Sequence, residues 1–196
     1  MKNKTGIVIL AAGNSSRLGQ PKQLLVYKDT TLLKNTIAAA SLVPDTTIVV
    51  VTGSNYELIE KEIHLTQVKI VFNPDWPSGM GTSISKGLTE LLSLEPNSQS
   101  CIFTVCDQPY ISSEVFENLG NHYIETKKGI VASAYSGTLG TPVLFDKKYF
   151  KELAELKGQE GAKKIINSFL EDVVSIPFEK GEIDIDTIED YNNLIS

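Results

Sequence analysis

The chain has 196 residues, 41% of them hydrophobic and 21% charged, with a net charge of −6 at pH 7. That length buries one sizeable core, and with no low-complexity tract, repeat or Pro/Ser-rich linker to divide it, a single domain over residues 1–196 is expected. The acidic balance excludes a general nucleic-acid binder, whose affinity rests on clustered Lys and Arg, yet it leaves room for a single nucleotide, which needs only a local group of cations and backbone N–H groups.

From the N-terminus, "MKNKTGIVILAAG" sets basic residues before an apolar run, but the run is short and passes directly into a polar loop. It reads as a first strand at 6–12 and not as a secretory leader. The loop that follows, "GNSSRLGQPK" at 13–22, gathers small and hydroxylated residues with Arg17 and Lys22. Small residues let backbone N–H groups turn in on an anion, while Arg17 offers a planar fork for phosphate oxygens and Lys22 a compact charge. A triphosphate suits that set. Two other phosphate loops are excluded by spacing: Gly19 is followed by Gln20 and Pro21 where a P-loop needs Lys and Ser/Thr, and no G-x-G-x-x-G is present.

Further β-branched apolar runs at 46–53, 68–74, 101–107, 129–135 and 142–145 read as strands buried on both faces. Helical spacing separates the early ones: Leu33, Ile37 and Ala40; Leu58 and Ile63; Ile84, Leu88, Leu91 and Leu92; Phe116, Leu119 and Tyr123. That alternation predicts βαβ units around a mostly parallel sheet, whose ligands bind at the carboxyl ends of its strands. "NPDWPSGMGTSISKGL" at 73–88 joins a strand to a helix through Gly79 and Gly81, with Thr82 and Ser83 at the helix N-terminus. Trp76 there either stacks on an aromatic substrate or fills a cleft wall.

Cys101 and Cys106 stand an odd number of residues apart in "SCIFTVCD", which sends them to opposite faces of a strand as buried, reduced thiols. Asp107, at the exit of that strand, shares a sheet edge with the opening loop if the two strands are parallel. It is then placed to hold a cation against a triphosphate; the alternative is an Asp that caps the following turn. His64 and His122 lie in helical segments without partners at zinc spacing.

Past residue 137 the pattern loosens into a helical "GAKKIINSFL", a strand "VVSIPF" and the closing "DIDTIEDYNNLI". Asp184 and Asp186 are two apart, so an extended backbone points both carboxylates one way, and Thr187 with Asp190 fits a capping box that opens a last helix. No run approaches the about 20 apolar residues of a membrane helix. A cytoplasmic protein with no membrane partner and no nucleic-acid partner is expected.

"LAAGNSSRLGQPK" resembles the L-A-[AG]-G-x-S-x-R-[ML]-G-x-x-K signature of the MobA/MocA-like nucleotidyltransferases, the molybdenum-cofactor guanylyl- and cytidylyltransferases and their relatives. The resemblance extends over essentially the whole chain. It implies an α/β fold, a Rossmann-like three-layer α/β/α arrangement of the nucleotide-diphospho-sugar transferase type with a mostly parallel mixed sheet. Leu10, Ala11, Ala12, Gly13, Ser15, Ser16, Arg17 and Lys22 would surround a nucleoside triphosphate, with Gly13, Arg17 and Lys22 on its phosphates. Gly81, Thr82 and Ser83 would meet the nucleobase. Asp107 would hold Mg2+, joined by Asp184 or Asp186, and Arg17, Lys22 and Asp107 would form the catalytic set.

"GTLGTPVLF" resembles the acceptor-facing segment of these relatives, which implies acceptor contacts from Gly140, Thr141 and Pro142, although Thr141 stands where His is common. Gln159 replaces a customary Asp and Ile188 a customary Pro. Leu-Ala-Ala-Gly at 10–13 is similar to the cytidylyl branch, where the extra Cβ of Ala12 narrows the room for a purine. The implied reaction is transfer of CMP from CTP to molybdopterin cofactor with release of pyrophosphate, in service of a partner molybdenum hydroxylase. Alternatives are nucleotidyl transfer to a sugar or alcohol phosphate, and a non-catalytic cofactor-binding accessory role.

Overall fold

The computed structural model describes residues 4–196. Seven strands form one sheet: β1 (Thr5–Ala11), β4 (Thr47–Thr52), β5 (Lys69–Phe72), β6 (Ser100–Val105), β7 (Ile130–Tyr135), β8 (Thr138–Asp146) and β9 (Val173–Pro177), in the order β5-β4-β1-β6-β8-β7-β9. β2 (Val26–Tyr27) and β3 (Thr30–Thr31) make a separate small hairpin. β1 pairs in parallel with both β4 and β6, and β8 alone runs against its neighbours β6 and β7.

Helices cover both faces, as the expected three-layer arrangement requires. Along β1 the side chains alternate. Ile7 and Ile9 pack with Leu33 and Ile37 of α1 (Leu32–Ser41), Ile59 and Ile63 of α2 (Tyr56–Ile63), and Phe116 and Leu119 of α4 (Ser113–Thr126). Val8 and Leu10 pack on the other face with Ile84, Leu88 and Leu91 of α3 (Met80–Leu94), Leu153 of α5 (Phe150–Ala154) and Ile165 of α6 (Ala162–Ser168). Each such fully buried aliphatic side chain contributes about 1.5–3 kcal/mol. Cys101 falls in the second of these clusters and Cys106 in the first, both buried and unbridged.

Three features depart from the sequence reading. β5 is not buried on both faces: Lys69 and Phe72 are exposed because the strand lies at the sheet edge. The last hairpin strand begins at Thr138, not at 142, because Ser136 and Gly137 both adopt positive φ (45° and 72°) and close a two-residue turn of the primed type. The β2–β3 hairpin is too short to leave a periodic signal.

At the C-terminus, α7 (Ile188–Ile195) opens with the expected capping box. Thr187 Oγ1 accepts from Asp190 N at 3.2 Å and Asp190 Oδ2 accepts from Thr187 N at 2.7 Å. The segment before it returns to the sheet edge, where Ile185 N donates to the Asp107 carbonyl at 3.1 Å.

Candidate active site at the carboxyl edge of the sheet

Because β1 and β6 are parallel neighbours with Leu10 opposite Val105, the segments that follow them leave the sheet at the same edge. A cavity of about 340 Å³ opens there, lined by Leu10, Ala12, Gly13, Lys22, Gln23, Trp76, Ser83, Asp107 and Gln159 among others. The loop after β1 ends in a 3-10 turn, Lys22–Leu24. Ser15, held at φ 52°, accepts from the Lys22 backbone N–H through Oγ at 3.0 Å and so ties the turn to the loop.

The Lys22 ammonium donates to Asp107 Oδ2 and, at 3.1 Å, to Asp186 Oδ1. Arg17 Nη2 donates to the other Asp186 oxygen at 2.5 Å. Burial draws the Lys22 ammonium toward neutrality, but the Asp107 and Asp186 carboxylates outweigh it and hold the group well above the usual lysine range. Asp186 is likewise pushed up by burial and brought below the ordinary carboxylate range by Lys22 and Arg17. Asp184, exposed and beyond the reach of these cations' hydrogen bonds, is raised by desolvation and then by the charges of Asp107 and Asp186.

Asp107 keeps one oxygen, Oδ1, buried with no hydrogen-bond partner among the described residues. A carboxylate oxygen so placed is an open coordination point for a hard cation. Among the described residues no three His, Cys, Asp or Glu side chains are gathered as a ready metal cluster. The donor set fits a cation that takes one or two carboxylates and completes its shell with phosphate oxygens and water, the usual manner of Mg2+.

On the far wall, α3 begins at Gly79, whose φ of 121° and close approach to the 158–159 backbone demand glycine: an ideal Cβ would lie 2.2 Å from the Gly158 carbonyl oxygen. The same approach engages Gly81, whose N–H donates to that oxygen at 3.0 Å. Thr82 Oγ1 is turned to the Asp75 and Gly79 carbonyls at 3.0 and 2.8 Å. Of the three residues expected at the nucleobase, then, Ser83 lines the cavity, while Gly81 and Thr82 hold the wall together. Asn73, buried behind them, donates to both Thr82 Oγ1 and Ser83 Oγ at 3.0 Å.

Leu10, Ala12, Gly13 and Lys22 reach the cavity as well; Ala11 belongs to the opposite face of the sheet, and Ser15, Ser16 and Arg17 stand outside the wall. Gly140, Thr141 and Pro142 lie within β8 and do not line it. Gln108, buried beside Asp107, joins them to the site: its Nε2 donates to the carbonyls of Thr141 at 3.1 Å and Gly181 at 2.7 Å. Gly140 leaves room for the Tyr135 hydroxyl, which would sit 2.2 Å from a Cβ there. His64 and His122 bond back to helical carbonyls of Lys61 and Asn118.

Gln23, Gln108 and Tyr135 carry no motif of their own in the sequence, and Asn73 is the first residue of the 73–88 segment without being marked there. A polar side chain inside a run such as "PKQLL" was the available signal for Gln23.

An open, mostly parallel α/β sheet, with a small-residue loop, a lysine and a carboxylate meeting at the carboxyl ends of adjacent strands, defines a protein of the nucleotide-handling class. Within that class, the chain belongs to the MobA-like NTP transferase domain family, which matches residues 7–173. It is similar to the molybdenum cofactor cytidylyltransferase of Escherichia coli K12, 27% identical over 187 residues that cover 94% of this chain and 92% of the relative. It is as similar to the nicotine blue oxidoreductase of Paenarthrobacter nicotinovorans, 28% identical over 200 aligned positions covering 96% and 95% of the two chains. Among solved structures, Rv0371c from Mycobacterium tuberculosis H37Rv aligns with a TM-score of 0.86 at 26% identity over 100% of this chain and 98% of its own. A manganese complex of that mycobacterial protein aligns at 0.81 and 25% identity, covering 98% of each chain.

Proposed function

We propose that the chain is a divalent-metal-dependent nucleotidyltransferase that moves CMP from CTP to molybdopterin cofactor and releases pyrophosphate. The observation that carries this reading is the meeting of Lys22 with Asp107 and Asp186 beside the loop cavity, with Asp107 Oδ1 unpartnered. Membership of the NTP transferase family, the cytidylyltransferase relative and the manganese-bound neighbour support it.

In this reading Gly13 and its neighbours cradle the phosphates, Lys22 and Arg17 offset charge on them, and Ser83 and Trp76 face the base. Asp107, with Asp186 or Asp184, would hold Mg2+ or Mn2+, which supplies charge stabilisation to the phosphoryl oxygens when bound. A terminal phosphate oxygen of the acceptor attacks the α-phosphorus; the bond from that phosphorus to the bridging oxygen breaks and pyrophosphate leaves. No side chain forms a covalent bond. The acceptor approaches past Gly140, Thr141 and Pro142, which Gln108 ties to the Asp107 segment. The reading puts the activity in the cytoplasm, in service of a molybdenum hydroxylase; separately, no helix among the described residues is long and apolar enough to cross a membrane.

The test is incubation with Mg2+ or Mn2+, each common nucleoside triphosphate and molybdopterin cofactor, with mass analysis of the product and assay of pyrophosphate. The cytosine dinucleotide form of the cofactor and stoichiometric pyrophosphate are expected with CTP. Turnover only with a sugar or alcohol phosphate would reassign the acceptor. Binding without turnover across the acceptor panel would make the chain a cofactor carrier, the role that Thr141 and Gln159 motivate as departures from the family pattern.

A further inference from the structure

Most of the loop after β1 is exposed, yet Gln23 at its end is 1% exposed and lines the cavity. Its Nε2 donates to the carbonyls of Ala11 and Gly13, each at 2.9 Å, so both amide protons are spent on the loop. The carbonyl between them, that of Ala12, accepts from Ser54 N at 3.2 Å. All three consecutive carbonyls are thus committed to donors within the protein. The backbone N–H groups of Gly13, Asn14 and Ser15, by contrast, have no acceptor among the described residues. Carbonyls held by other donors, with N–H groups uncommitted, suit an anion, because a carbonyl free to turn to it would repel a phosphate oxygen.

We infer that Gln23 is a positioning residue for the polyphosphate chain: it sets the polarity of the loop and, being the next residue after Lys22 in the same 3-10 turn, fixes the lysine relative to the loop. This inference rests on the reading that a nucleoside triphosphate occupies the loop. Two contacts converge on it. Ser15 Oγ accepts from the Lys22 N–H while Gln23 donates to the Ala11 and Gly13 carbonyls, so the loop and the lysine-bearing turn are tied together at three points. An apolar side chain of equal length would leave the buried Ala11 carbonyl and the Gly13 carbonyl without this donor, and a carboxylate would face them with like polarity.

The test compares wild type with Gln23→Met and Gln23→Glu, titrating three probes in the presence of Mg2+: CTP, inorganic tripolyphosphate and cytidine. In Gln23→Met, CTP and tripolyphosphate should weaken by a common factor of about 10-fold to 100-fold, while cytidine binding is unchanged. Gln23→Glu should lose more on the same two probes. In turnover, the KM for CTP rises with that factor and the KM for the acceptor does not. Equal weakening of all three probes marks a general loss of structure and overturns the positioning role, as does undiminished tripolyphosphate binding in Gln23→Met. In wild-type protein, tripolyphosphate should slow amide exchange at Gly13, Asn14 and Ser15; unchanged exchange despite binding overturns the inference even where a variant does not fold. If wild type binds neither CTP nor tripolyphosphate, the nucleotide reading itself falls and takes this inference with it.

Discussion

Lys22→Met removes the cation that bridges Asp107 and Asp186 among the described residues, and it should act on metal and nucleotide in opposite directions. At 3.1 Å and an effective dielectric of about 20, the Lys22–Asp186 attraction is about 5 kcal/mol gross, before desolvation. The net worth of one charge-assisted hydrogen bond is smaller, about 1.5–3 kcal/mol. Lys22 makes two such bonds, with only 19% of its side chain exposed. A divalent ion that takes Asp107 through its open Oδ1 and recruits Asp186 as a second ligand must draw Asp186 away from Lys22, beside whose charge the ion also sits. Relief of a single bond at the low end predicts Mn2+ binding about tenfold tighter in Lys22→Met than in wild type. The same substitution takes a positive charge from the triphosphate, so turnover should fall by about 100-fold or more. Electron paramagnetic resonance of free Mn2+, without nucleotide, reads the first effect, and pyrophosphate release the second. Mn2+ binding no tighter in a variant that keeps its melting temperature would refute the competition, and undiminished turnover would refute the role of Lys22.

Other expected outcomes concern packing and pH. Gly79→Ala should lower stability by about 2–4 kcal/mol in urea unfolding, since its Cβ meets the Gly158 carbonyl and its φ is 121°. Gly120→Ala, in α4 with nothing within 4 Å of its Cβ, should be neutral or stabilising by up to about 1 kcal/mol. Asp172 is raised by burial but held below the ordinary range overall by Lys148 and Tyr149. A lowered folded-state value contributes stability above the unfolded carboxylate's about 3.9 and loses it as pH falls through the folded value. Asp172→Asn should therefore cost at most about 1 kcal/mol at pH 7, discounted for its partial exposure, and the gap from wild type should narrow as pH falls below the unfolded carboxylate's about 3.9. Burial, and then the Asp107 charge, push the Cys106 thiol up to about 12, and burial alone holds Cys101 well above its ordinary range. A thiol reagent at pH 8 should label neither in the folded protein and both in urea.

The parts of the site that lie next to a strand end were legible in sequence. The change from "GIVILAA" to "GNSSRLGQPK" marks a strand exit, and Asp107 marks another, so a parallel pairing of the two strands brings them to one edge. The Lys22–Asp186 pair joins residues 164 apart, and its formation depends on the C-terminal segment docking on the Asp107 carbonyl through Ile185. No local pattern encodes that return.

Small residues were the least readable, because flexibility and close packing select the same types. Gly81 and Thr82 looked available to a ligand, yet one is pressed against the 157–160 backbone and the other bonds its own loop. The strand at 142–145 grew backward to Thr138 because the Ser136–Gly137 turn pairs the residues on either side of it; that dipeptide between apolar runs was a hairpin signal. Gln23 shows the converse problem, since its amide is defined only by which carbonyls surround it.

The most direct test of the account is an anomalous-scattering map from crystals grown with Mn2+ and CTP. The account predicts a manganese peak bonded to the Asp107 carboxylate, triphosphate oxygens against the N–H groups of Gly13 to Ser15, and the Lys22 ammonium on the phosphates. A triphosphate bound elsewhere on the chain, or a manganese peak with no contact to Asp107, would contradict it.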